Sequence, residues 1–116
     1  MSIVILGKTL TAEDLRKARE EYREYIKITL DIKEGIVAVG GEYHADAEQL
    51  LMKQYGCKQR DIWGGGYNFQ THQFETNAII NLRGRTNTSL EILLPKIREA
   101  FLEIAKKKLK HIRRLL

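Results

Sequence analysis

The sequence predicts an α+β fold: a mainly antiparallel or mixed sheet of about five strands with three helices packed on it as a two-layer sandwich. Two observations carry this reading. Stretches that alternate apolar and polar residues are interleaved with stretches of helical periodicity, in the order β-α-β-β-α-β-β-α. Short turns join the strands into two hairpins, and a helical crossover separates them. A length of 116 residues is that of one domain, residues 1–116, large enough to bury a core without staples.

Each element has its own local reason. Ser2 to Leu6 reads as a short strand. Thr11 to Asp14 has the form of a capping box, a Thr N-cap with an acid three residues on. The helix it opens is expected to align Leu15, Ala18, Tyr22 and Tyr25 on one face. Ile26, Ile28, Leu30 and Ile32 alternate with polar residues, as in a half-buried strand. Lys33 to Gly35 is a turn, and Ile36 to Val39 is apolar throughout, as in a strand covered on both faces.

A helix from about Ala45 to Tyr55 follows, with Ala47, Leu50, Leu51 and Tyr55 inward and Gly56 as its stop. Asp61 to Phe69 is a glycine-broken strand, and Gln70 to Gln73 a turn. Phe74 to Arg83 reads as the next strand, with Ala78, Ile79, Ile80 and Leu82 supplying core. Gly84 to Ser89 is a loop. A last helix starts near Pro95, a residue suited to a first helical position, and carries Ile97, Phe101, Ile104, Ala105, Leu109, Ile112 and Leu116 on one stripe.

The charge is unevenly placed. Of 20 Lys and Arg, six lie in residues 106–116, leaving 14 against 15 acids in the rest, so a nearly neutral body ends in a basic helix. Lys106, Lys107, Lys108, Lys110, Arg113 and Arg114 could meet nucleic acid, or simply complement a helix dipole. One cysteine, Cys57, excludes an internal disulfide and fits a cytoplasmic location. The start of the chain lacks signal-peptide character, and no apolar run approaches the roughly 20 residues that span a bilayer, so no membrane partner is expected.

Three stretches could carry chemistry. In Gly40-Gly-Glu-Tyr-His-Ala-Asp-Ala-Glu48, a strand running on through Glu42 would put Glu42 and His44 on one side. A helix starting at His44 would instead put His44 and Glu48 one turn apart. Either places a carboxylate by an imidazole, as a general base needs. His44 is then the acid/base, Glu42 its orienting carboxylate, and Asp46 a nearby ligand contact. The dull alternative is a polar helix start favoured by the dipole. No metal is assigned here.

In Asp61-Ile-Trp-Gly-Gly-Gly-Tyr-Asn68, three glycines cost backbone entropy and pack nothing. A bulge, a crossing side chain or a ligand on bare backbone must compensate, so Trp63, Gly64, Gly65 and Gly66 are ligand-binding candidates. The alternative is that Trp63 or Tyr67 covers them. In Asn81 to Ser89, the groups of Asn81, Arg83, Asn87 and Ser89 would suit a phosphate or carboxylate, or else merely a solvated turn.

The blocks "DIKEGIVAVGGEYHADAEQLL", "KQRDIWGGGYNFQTHQFETNAIINLR" and "NTSLEI", with a following Pro-Lys-Ile-Arg, resemble a small prokaryotic family known only as a domain of unknown function. The resemblance covers roughly residues 26 to 105. It implies no activity, cofactor or partner, but its blocks group Glu42, His44, Asp46, Trp63, the glycines, Asn81, Arg83, Asn87 and Ser89. The chain departs from that pattern at Gly84, where the family carries proline.

Three function classes follow. One is a small-molecule or hydrolase/transferase-like pocket for an anionic ligand, with Arg83 holding the anion. The second is a nucleic-acid-binding module using the basic helix end. The third is a homodimer or other structural assembly through apolar positions of the last helix.

Overall fold

The computed structural model describes residues 2–115. Five strands, β1 (Val4–Ile5), β2 (Tyr25–Asp31), β3 (Val37–Val39), β4 (Ile62–Asn68) and β5 (Gln73–Glu75), form one sheet in the spatial order β1-β3-β2-β4-β5. Every pairing is antiparallel. The helices are α1 (Ala12–Ala18), α2 (His44–Tyr55) and α3 (Pro95–Lys108). The α+β class and the element order are as expected.

The alternation in β2 sets the layers. Ile26, Ile28 and Leu30 are fully buried in one core with Leu15 and Ala18 of α1 and Phe101 and Ala105 of α3. Tyr25, Lys27, Thr29 and Asp31 face the other way. On that side Leu51 of α2 packs with Cys57 and Ile62. The two adjacent glycines of β4 report the same division: a Cβ on Gly64 would meet His44 of α2, and one on Gly65 would meet Phe101 of α3. Helices therefore cover both faces, and the expected two-layer sandwich gains a third layer through α2.

The local signals act as read. Thr11 Oγ1 accepts from the Asp14 N–H at 3.1 Å, and Asp14 Oδ2 accepts from the Thr11 N–H at 3.0 Å. Gly56 ends α2 in the left-handed region at φ 66°, and Pro95 opens α3. The left-handed glycine also appears at Gly40, where φ is 88° and a Cβ would be 2.9 Å from Ala18 Cα.

Four expectations are corrected. α1 stops at Ala18, which leaves Tyr22 exposed and Tyr25 in β2. Tyr55 is exposed rather than inward. Phe74 to Arg83 is not one strand: Thr76 and Ala78 bond to Ile92 and Leu90, and the chain then makes a 3₁₀ turn, Ile79–Asn81. That turn leaves Ile79 77% and Leu82 54% exposed, so neither is core. Finally, α3 ends at Lys108, and the turns beyond it bury Leu109 and Ile112. Leu116, expected on the stripe, lies outside the described residues.

Candidate functional site

The triple glycine lies in a continuous ladder, with β2 and β4 in unbroken register from Tyr25↔Asn68 to Asp31↔Ile62. It contains no bulge. The glycines make room for crossing side chains instead. The Tyr25 ring lies directly against Gly66, and His44 Cδ2 is 2.9 Å from where a Cβ on Gly64 would stand. Neither Trp63 nor Tyr67 provides the cover.

His44 opens α2 and donates from Nε2 to the Gly65 carbonyl at 2.7 Å, since that oxygen can only accept. The bond fixes the tautomer and leaves Nδ1 as an acceptor. Burial pushes the imidazole down from 6.5 to about 4; the Gly65 carbonyl opposes this and Lys27 reinforces it. His44 is therefore neutral at physiological pH.

A groove of about 390 Å³ opens over these residues. Its polar groups are Lys27, Tyr25, His44 and Asn77, and its walls are mainly apolar, formed chiefly by Tyr43, Ala78, Ile79, Ile80 and Leu90. Burial lowers the Lys27 ammonium, while Glu42 and Glu21 pull it back up. Its Nζ sits 4.4 Å from the centre of the Tyr22 ring. Burial, with Glu75 and Glu91 nearby, raises the Tyr25 phenol, so it remains a donor. The groove thus offers one cation, one phenol, one imidazole lone pair and the Asn77 carboxamide among mainly apolar walls.

The remaining sequence candidates fall elsewhere. Glu42 is exposed and forms no ion pair with His44; among the described residues the one ion pair joins Arg16 and Glu13. The left-handed Gly40 and Gly41 end the strand, so the strand spacing of Glu42 and His44 is lost. Asp46 is exposed in the first turn of α2, where the dipole alone favours it. Glu48, one turn beyond His44, is buried, and burial raises its carboxyl while Arg83 opposes this.

Arg83 does not line the groove. Its guanidinium stacks on Trp63, 3.8 Å from the ring centre, and donates to the carbonyls of Ile80, Gln59 and Ile62. Trp63 is itself 1% exposed. These two residues form an internal bracket.

Asn81 and Asn87 are buried brackets too. Asn81 accepts from the Gly64 N–H and donates to the Gly64 carbonyl, both at 2.9 Å, closing the edge of β4 beyond its pairing with β5. The two Nδ2 hydrogens of Asn87 are shared among the carbonyls of Asn81, Ser89 and Glu91, and its Oδ1 accepts from Leu93 N–H. Ser89 Oγ accepts from Glu91 N–H. Cys57 is a buried thiol pushed up to about 12 by burial and by Asp31, which makes it unreactive.

Sequence reasoning missed Tyr25, Lys27, Tyr43, Ile79 and Leu90. The available signal was the polar face of β2, which looked solvated but lies beside α2.

The family model described as a protein of unknown function, DUF5674, matches residues 4–108. The chain belongs to this family. No curated protein and no solved structure matches it. The match spans the groove, both asparagine brackets and all of α3, so the resemblance read from the sequence holds over most of the fold.

The neutral His44 has a measurable consequence. The folded state holds this imidazole near 4 against an ordinary 6.5, so the unfolded state binds the extra proton in that window. Stability should fall as pH drops through it, by roughly 3 kcal/mol in total. Urea unfolding of the parent and of His44→Gln across that range checks this, because the variant's curve should be flatter.

Proposed function

We propose that the groove binds an amphipathic small anion. Lys27 meets the acidic group, His44 Nδ1 accepts a hydrogen bond from the ligand, and Tyr43, Ile79 and Leu90 cover its apolar body. The observation that carries this reading is the exposure of those three large side chains, with Ile79 77% exposed, around a half-buried lysine. A monomer gains nothing by leaving such a rim in water, and concave apolar sites with a few convergent polar groups are where small ligands bind. A hydrolase or transferase role has less support, because no carboxylate orients His44. The buried, unpaired Cys57 favours a reducing compartment such as the cytoplasm.

The probe is anilinonaphthalene sulfonate, whose fluorescence rises in an apolar site, with decanoate as competitor. Lys27→Gln should weaken both roughly tenfold or more, the value of one charge-assisted contact. Equal affinity in parent and variant would remove Lys27 from the site.

A second copy of the chain is the alternative occupant. It is favoured by Leu82, Leu93 and Leu94, which are exposed beyond the groove. Sedimentation would then show a dimer that Ile79→Asp dissociates.

A further inference from the structure

On the α3 side of the molecule the basic segment is a built surface. The Leu10 N–H donates to the Lys108 carbonyl at 2.8 Å, and Lys108 Nζ donates to the Gly7 carbonyl at 2.6 Å. Leu10, Leu109 and Ile112 are buried beneath it. The contacts bring Lys8, from the loop after β1, to Lys107, Lys108 and Lys110 around a groove of about 490 Å³. Among the described residues none of these lysines forms an ion pair. Folding has gathered like charges from distant parts of the chain without pairing them with acids; the end of the α3 dipole and the Gly7 carbonyl take up part of that charge, and an anionic partner would take up the rest.

We infer that this groove binds the phosphate backbone of single-stranded nucleic acid. The large exposed apolar side chains, such as Ile79 and Leu90, lie elsewhere, so nothing here would enter a bilayer. A protein partner would need an apolar interface centre depleted of charge, and Ile104 alone does not provide one. Lysines are point charges suited to phosphates, and a concave groove admits a strand better than a duplex. No aromatic ring lines the groove for a base to stack on, so the contacts fall on the phosphates, which carry no sequence information.

The test titrates labelled single-stranded RNA against the full chain at several salt concentrations, with duplex DNA and phosphatidylserine vesicles in parallel. Three to four phosphates give a log–log slope of about −2 to −3, at roughly 0.7 per phosphate. The exposed triple variant Lys8→Gln, Lys107→Gln, Lys110→Gln should fold normally by circular dichroism, lose at least about tenfold in affinity, and show a slope near −1 or shallower. Lys53→Gln and Lys27→Gln should bind RNA as the parent does, which keeps this site separate from the small-anion groove. The inference is overturned by RNA binding no tighter than about 10⁻⁴ M at low salt, by an unchanged slope in the triple variant, or by a preference for vesicles or duplex.

Discussion

Asn81→Ala is expected to remove about 3–5 kcal/mol of stability, a large share of the roughly 5–15 kcal/mol that holds a domain together. The carboxamide makes four contacts, three of them fully buried: it accepts from Gly64 N–H, and its two Nδ2 hydrogens are shared among the carbonyls of Gly64, Thr76 and Leu90, at 2.9–3.2 Å. It acts as one residue of an extra strand, satisfying both backbone groups of Gly64 where β5 has already ended. Alanine leaves those groups buried and unpaired, and each unpaired group costs about 1–3 kcal/mol. Asn81→Asp should be no better, since it sets a carboxylate against three carbonyls. Urea unfolding midpoints measure both, and a loss under about 1 kcal/mol for alanine would mean that Asn81 is not the clamp.

Gly65→Ala is expected to cost about 3 kcal/mol or more through overpacking. The added methyl would stand 2.7 Å from the Phe101 ring and closer still to the Glu75 carbonyl. Phe101 is completely buried, and the carbonyl belongs to β5, so neither can retreat without moving the core or the strand. Gly7→Ala is the control: nothing lies within 4 Å of its Cβ position, so the change should fall within about 0.5 kcal/mol of neutral. Thermal melting of the two variants compares them directly. Equal melting temperatures would show that Gly65 is not closely packed.

These two residues also show what the sequence could and could not express. The periodicity of β2, the Thr11 capping box, Gly56 and Pro95 are local signals, and each produced the element it implied. The cost of three successive glycines was equally legible, but its compensation was not, because Phe101, Tyr25 and His44 arrive from distant segments. The site was legible only in part for the same reason. His44 stood out as an ionisable residue after two glycines, while its partner is a backbone carbonyl 21 residues away, which leaves no side-chain signature. Asn81, Arg83 and Asn87 stood out as polar groups, but polarity does not say whether a residue will be buried. Lys27 was hidden by the opposite error: it belongs to the polar face of a strand, and only the placement of α2 turns that face into a groove wall.

The most direct test is an amide-resonance titration of the isotopically labelled chain with decanoate. A groove that holds amphipathic anions should give saturable shifts at Lys27, Tyr43 to Ala45, Asn77 to Ile80 and Leu90, and Lys27→Gln should weaken them together. Shifts confined to Lys8, Thr9 and residues 104–110, or no saturable shift anywhere, would contradict it.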